Sequence, residues 1–198
     1  MLGSSLRSCM PVSSGSRVKG RRVFVPQRTF WMWLNFVFNR VDHSRVADVG
    51  PDRAAAEWIL RLGGSVKFGS FESWTTDYNR MPAEPRETTR LEAINASGIT
   101  ITNNGLEHLV GLEGVYHLDF TNCKYLSDEG LVHLANVRGS LLELELSGCP
   151  SISSSGLPCL YGLSRLQYLG LRDTPGIRDR DTALAALLGA LPHCQIGS

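Results

Sequence analysis

The chain has 198 residues, a formal net charge of +1, and 42% hydrophobic and 20% charged residues, which suits one core-forming domain with at most a small appendage. So small a net charge argues against nucleic acid as a partner, because phosphate binding needs a clustered basic surface. No apolar run approaches the roughly 18 residues of a membrane helix, and the cysteines (Cys9, Cys123, Cys149, Cys159 and Cys194) form neither a CxxC nor a zinc spacing, so they read as free thiols.

The charge is unevenly spread. Arg7, Arg17, Lys19, Arg21, Arg22, Arg28 and Arg40 all precede Asp42, the first acid. A basic, Ser-rich, acid-free start is the composition of a mitochondrial transit peptide. Residues 1–28 are therefore expected to be a targeting segment, removed somewhere between about residue 20 and residue 30.

The stretch "RTFWMWLNFVFNRVD" follows. Phe30, Trp33, Leu34, Val37, Phe38 and Val41 share one helical face, with Trp31 and Phe36 off it. Such a stripe is expected to be buried against the rest of the block. The alternative is contact with a membrane surface or a membrane-bound partner through Trp31 and Trp33, helped by Arg28 and Arg40. "DVGPDRAAAEWILRLGG" then reads as a complete helix. Gly50 is at the cap, Pro51 and Asp52 occupy the first turn, and Gly63-Gly64 ends the run. Ala55, Trp58, Ile59 and Leu62 recur at helical spacing.

The second half repeats itself as "ITNNGLEHLVGL", "LSDEGLVHLANV" and "ISSSGLPCLYGL". Gly105, Gly130 and Gly156 are 25 and 26 residues apart. Short alternating runs, "VYHLDFTNC", "LLELELSGC" and "LQYLGLRDT", place Cys123, Cys149 and Thr174 at one position. This period and pattern is a leucine-rich repeat of the cysteine-containing subtype. Leu118 and Phe120, Leu144 and Leu146, and Leu169 and Leu171 should point inward from short parallel strands. Leu131 with Leu134, and Leu157 with Leu160, should do so from short helices. In the first copy Asn95 falls where Leu or Phe belongs and Gly98 where Cys belongs. The last copy has Asp181 in place of the glycine and runs into a helix with Leu184, Leu187, Leu188 and Leu191. Terminal repeats are atypical because they close the core, so Trp58 should cover the apolar end of the first repeat. The expected fold class is α/β: a short solenoid of about four leucine-rich repeats over 89–198 behind an N-terminal α-helical capping domain over 29–88.

"FWMWLNFVFNRVD", "RVADVGPDRAAAEWILRLGG" and "ESWTTDYNRMP" closely resemble the N-terminal block of the mitochondrial ATP synthase subunit s family, also called coupling factor B. The resemblance runs from about residue 29 to about residue 195, where that block precedes a small leucine-rich repeat domain. It implies a non-enzymatic protein, peripheral to the matrix side of the inner membrane. It further implies association with the membrane sector of ATP synthase, in support of coupled proton transport and limiting a proton leak. It also implies weak Mg²⁺ binding, with Gly63 and Ser97 as ligands by residue-for-residue placement. Both would offer hard oxygens suited to Mg²⁺. Asn95 stands where the family often has aspartate. By themselves, Gly63 reads as a helix cap and Ser97 as a turn residue. A neighbouring family, the complex I distal-arm assembly factors, shares the repeat type and the mitochondrial address, which leaves a complex I assembly factor as the alternative. A substrate-recognition adaptor of a ubiquitin ligase would need an F-box, and residues 1–90 show none.

Two further groups can be placed on the repeat. His108, His133 and Cys159 fall three residues after each glycine, more a stacking row than a zinc site, which needs four ligands. His117 with Asp119, Glu143 with Glu145, and Tyr168 with Arg172 should face outward on the concave side, where solenoids bind partners. Asp119, Glu143 and Glu145 therefore read as a docking patch. No constellation suggests an enzyme, a small-molecule substrate or a phosphate loop.

Overall fold

A computed structural model describes residues 27–69, 73–81 and 90–198, with side chains from residue 33 onward. Residues 1–26 of the expected targeting segment and the expected boundary at 88/89 lie outside the described residues, while residues 27 and 28 open the first helix. Helix α1 is Gln27–Asn39 and α2 is His43–Val49. Asp42 starts α2 by accepting from the backbone N–H groups of Ser44 at 3.0 Å and Arg45 at 3.2 Å, which satisfies two donors that a helix start leaves unpaired. Helix α3, Pro51–Arg61, begins behind Gly50 with Pro51 in its first turn, as the sequence indicates.

The N-terminal block also contributes a strand, which the sequence reading lacked. β1, Ser65–Phe68, pairs antiparallel with β2, Leu91–Asn95. Four residues between two glycines carry too short a pattern to mark a strand. Val66 also exchanges backbone hydrogen bonds with Thr75, at 3.0 and 2.7 Å, which covers the middle of the outer edge of β1, where an open strand edge would invite further pairing.

From β2 onward the sheet is parallel and follows chain order: β3 His117–Asp119, β4 Glu143–Glu145, β5 Tyr168–Gly170 and β6 Gln195–Gly197. Ile94, Leu118, Leu144, Leu169 and Ile196 are in register across it. The returns are mostly tight 3-10 turns (Asn103–Leu109, Val132–Val137 and Leu157–Leu160), with a one-turn α4 at Asp128–Leu131. A period near 25 residues leaves little chain for a full α-helix, and a 3-10 turn still stacks residues three apart. Leu106 with Leu109, Leu131 with Leu134, and Leu157 with Leu160 are buried accordingly. Helix α5, Arg180–Ala190, covers the last unit through Leu187, while Leu188 faces out. A single apolar core runs from Ala55 in α3 to Cys194.

Each unit turns at the same left-handed backbone position, held by Gly98, Asn122, Gly148 and Asp173 with φ of 70°, 58°, 71° and 52°. Glycine, Asn and Asp are the residues that tolerate it. The next position is Cys123, Cys149 and Thr174 in three successive units. The Cys123 thiol donates to the Ala96 carbonyl at 3.2 Å and the Cys149 thiol to Phe120 at 3.1 Å, while the Thr174 hydroxyl donates to Leu171 at 2.7 Å. Burial pushes the two thiols up to about 12 and about 11, so both stay protonated and inert at neutral pH.

This register corrects the first copy by one residue. Asn95 pairs with Asp119 on the outer row rather than filling an inward position, and Ile94 takes the inward one. Gly98 is the left-handed turn residue, and Ile99 stands at the cysteine place. A one-residue slip exchanges the two faces of a strand, and the irregular first copy offered no cysteine to anchor the match.

Candidate functional site

Helix α1 is seated by a polar residue. Asn39 is fully buried. Its amide donates to the carbonyls of Asn35 at 2.8 Å and Thr100 at 2.9 Å, and its oxygen accepts from Thr102 N–H at 3.1 Å. Gly105 makes room, since a Cβ there would strike Asn39 and the Trp58 ring. The expected burial of the apolar stripe is thereby corrected. Trp33 is 59% exposed, and Phe36, Val37 and Phe38 also face out, while Leu34 is half-buried. The hydrogen bonds of Asn39 fix the helix's rotation, and an amide within an apolar stripe is invisible to a periodicity count. Trp31 lies outside the residues with described side chains.

Trp58 covers the first unit as expected: it is 1% exposed and stacks on His108 with ring centroids 4.7 Å apart. Trp58 Nε1, Thr102 Oγ1 and both nitrogens of His108 are buried without a hydrogen-bond partner. Burial pushes the His108 imidazole down to about 4. The Arg40 carbonyl lies close enough to favour its cation, but makes no hydrogen bond of good geometry with it. On the other side of α3, Glu57 is 3% exposed. It accepts from Arg45 at 2.9 and 2.6 Å, from Arg53 at 3.1 Å and from the Tyr78 hydroxyl at 3.2 Å. Burial is the largest single influence and raises its pKa, but the bonds and charge of Arg45 together with the bonds from Tyr78 and Arg53 more than offset it and hold it below the ordinary carboxylate value. Asp52 bridges to the sheet, accepting from Leu91 N–H at 2.7 Å. None of these buried polar contacts was read from the sequence. The signal was a lone acid inside "AAAEWI", on a face that periodicity marks as buried.

A cavity of about 410 Å³ opens between α2, α3 and the turns of the first two units. Val41, Val46, Pro51 and Val110 line it, with His108 and His133.

On the outer sheet face, Asp119 and Glu145 are register neighbours, followed by Gly170 and Gly197. Glu143 lies beside His117, whose Nδ1 is 2.8 Å from the carboxylate. Ser147 donates to Glu145 at 2.9 Å. The Tyr168 hydroxyl also donates to Glu145, and is pushed up by that contact. Trp74, 43% exposed, meets His117 edge-on at 6.1 Å. The structure thus brings Asp119, Glu143 and Glu145 together. Arg172 is not on this row; Gly170 is, and Arg172 sits in the turn beyond β5 beside Thr174 and Arg180.

The turns that carry Gly63 and Ser97 adjoin. Ser65 pairs with Asn95, and Gly64 packs against the Asn95 carbonyl and Ile99. The donors are uncharged: the Gly63 carbonyl, and the hydroxyl or carbonyl of Ser97. The Asn95 side-chain oxygen is already taken by Ser97 N–H at 3.0 Å. Such a set fits a Mg²⁺ ion that keeps most of its water, and nothing tighter. Among the described residues no group of three or more His, Cys, Asp or Glu side chains could hold a metal. In the His108, His133 and Cys159 row, His108 is instead committed to its stack on Trp58.

The chain is similar to mitochondrial ATP synthase subunit s from Rattus norvegicus, with 41% identity over 172 residues that cover 85% of this chain and 86% of the relative. The Homo sapiens protein of that name gives 40% identity over the same shares. A Drosophila melanogaster protein named distal membrane arm assembly component 2 is 29% identical over 152 residues, covering 75% of this chain and 54% of that relative. No family model matches the chain.

Proposed function

The chain belongs to the mitochondrial ATP synthase subunit s family, and on that premise we propose that it is a non-enzymatic accessory component of ATP synthase. In this reading it supports coupled proton transport and limits a proton leak by docking to the membrane sector from the matrix side. The units from β2 onward are leucine-rich repeats of a short solenoid, and the block from about residue 29 to residue 88 is its cap. The acid-free start is a transit peptide, and N-terminal sequencing of the mitochondrial protein tests that; an intact Met1 in the mature protein overturns it. Docking in this reading is peripheral. Among the described residues no helix is long and apolar enough to cross a membrane.

The observation that supports docking most is the seat of α1. A helix fixed by a buried asparagine yet turning Trp33, Phe36 and Phe38 outward offers rigid aromatic anchors of the kind that dominate interfaces. Asp119, Glu143 and Glu145 add one sign of charge, which steers a basic partner surface. Weak Mg²⁺ binding at Gly63 and Ser97 belongs to the same proposal. A bound ion would bridge the two turns electrostatically, and amide shifts confined to residues 63–65 and 95–98 on millimolar Mg²⁺ would report it.

The test is reconstitution. Wild-type protein added to depleted inner-membrane vesicles should restore ATP-driven proton pumping and co-migrate with ATP synthase on blue-native gels. If it restores nothing, and its loss instead blocks complex I assembly, the second reading holds: an assembly factor, favoured by the match to the distal membrane arm assembly component.

A further inference from the structure

Two cavities meet beside α1 and α2. The smaller, of about 230 Å³, is lined by Phe36, Arg40, Val41, His43, Asn104 and Glu107. The larger is the cavity of about 410 Å³ described above, within the roughly 300–1,000 Å³ of small-molecule sites. Val41, His43 and Glu107 line both, so the two form one furrow between the N-terminal block and the turns of the array. Its two ends differ. Arg40 lines only the smaller cavity, whereas Val46, Pro51, Ala54 and Val110 line only the larger, together with His133 and Asn136. Arg40 and Glu107 carry opposite charges and are exposed, and among the described residues neither side chain is hydrogen-bonded or ion-paired. A cation and an anion thus share the smaller cavity without pairing with each other.

We propose that this furrow binds a zwitterionic amphiphile whose cationic nitrogen joins an apolar chain and whose anionic group lies outermost, as in an alkyl betaine. The chain covers the aliphatic side chains of the larger cavity, and that burial supplies most of the affinity. The nitrogen lies at the junction beside Glu107. The anionic group lies beside Arg40 in the smaller cavity, where a guanidinium suits a carboxylate. The order of the charges follows from the lining, because Glu107 borders the aliphatic cavity and Arg40 does not. An amphiphile with an anionic head alone would meet Glu107, and one with a cationic head alone would leave Arg40 unused. The site needs nothing from the ATP synthase reading, and its test uses the isolated full-length chain, so either can fail without the other.

The probes are N-octyl-N,N-dimethylglycine, octanoate, octyltrimethylammonium and octylphosphocholine, each used below its micelle concentration. The last carries both charges in the reverse order, as phospholipid headgroups do. In NMR titrations of the full-length protein, the dimethylglycine should saturably shift the amides of residues 40–46 and 104–110. At low salt it should bind about two- to fivefold more tightly than each of the others, the range that exposed ion pairs give. Those margins should shrink in high salt. Arg40→Gln should erase the margin over octyltrimethylammonium, and Glu107→Gln the margin over octanoate. Both are changes at exposed, unpaired side chains and should leave the denaturant melt in place. Val46→Phe, which fills the aliphatic cavity, should weaken all four probes. No saturable shift with the dimethylglycine, equally tight binding of any other probe, or a margin that survives its matching charge variant would each overturn the proposal.

Discussion

The two ends of the core are built differently. In the repeat array the described interior is aliphatic side chains, Phe120, Cys123, Cys149, Cys194 and Thr174, and the units are aligned by backbone bonds from strand to strand. At the N-terminal end the interior also holds Asn39, Glu57 and His108, together with Trp58 Nε1 and Thr102 Oγ1. An array needs only a repeated pattern, because every unit meets a copy of itself. The N-terminal block meets a surface unlike its own. Apolar contact alone would let it slide or rotate, whereas directional bonds from Asn39, Asp52 and Glu57 fix one placement. The cost of that placement is a seat sensitive to single substitutions and to acid.

Trp58→Ala should break the contrast most. It should cost about 3–5 kcal/mol, the usual range for truncating a buried large aromatic, measured by denaturant melts. Trp33→Ala, on the exposed face of α1, should change stability by no more than about 0.5 kcal/mol. Equal, small losses would mean that α3 does not seal the array. The acid limb should follow His108. Its value falls from the ordinary 6.5 to about 4 on folding, so between those values the unfolded chain holds a proton that the folded chain lacks. Stability is therefore full above about pH 6.5 and declines as pH falls to 4, by about 3 kcal/mol in all. His108→Phe should flatten that limb, and an unchanged limb would place the titrating group elsewhere.

Glu57 acts at lower pH. Its folded value is depressed, so its contribution is present above the ordinary carboxylate value of 4.5 and is lost as pH falls through the depressed one. Glu57→Ala should cost about 3 kcal/mol at pH 7 by leaving Arg45 and Arg53 without their carboxylate. Asn39→Ala should cost somewhat less, about 1–3 kcal/mol, through the unpaired groups at Thr100 and Thr102. It should also speed amide exchange in α1 without touching β4 and β5.

The array was legible because its signal is periodic. Three copies of one pattern located the strands, the inward leucines and the cysteine position, and the punctuation at Gly50-Pro51 and Gly63-Gly64 located α3. What the sequence hid was set by contacts between unlike parts. The face α1 buries depends on Asn39 reaching Thr100 and Thr102, some sixty residues away. β1 exists because β2 is there to pair with it. The first copy slipped by one residue because Asn95 was matched to an inward leucine, whereas the structure pairs it with Asp119. The outer acids were read in the right register, since Glu143 and Glu145 flank an unambiguous Leu144. Arg172 was misplaced because Gly170, with no side chain, left the row without a mark.

The smallest stability effect should come with the largest functional one. Asp119, Glu143 and Glu145 lie on the outer sheet face, and no aliphatic core residue depends on them. Their contacts are local: Asp119 accepts from Thr121 N–H at 2.8 Å, Glu143 lies against His117, and Glu145 receives the Ser147 and Tyr168 hydroxyls. Exposed or half-exposed polar substitutions of this kind usually change stability by about 0.5 kcal/mol each. Reversing all three to Lys should therefore leave a cooperative melt with a modest loss, of which Glu145 contributes most because Gly170 packs beneath it. The same triple variant turns an acidic row into a basic one, and like charges across an interface cost several kcal/mol. If the outer face docks to a basic surface of ATP synthase, the variant should fail to restore proton pumping in depleted vesicles, and wild-type docking should weaken with salt. Full restoration by the folded triple variant would remove the sheet face from the docking surface and leave α1 as its anchor. Restoration by the triple variant but not by Trp33→Ala with Phe36→Ala would assign docking to the N-terminal end of the molecule, where one fixed helix is presented, and not to the repeating end.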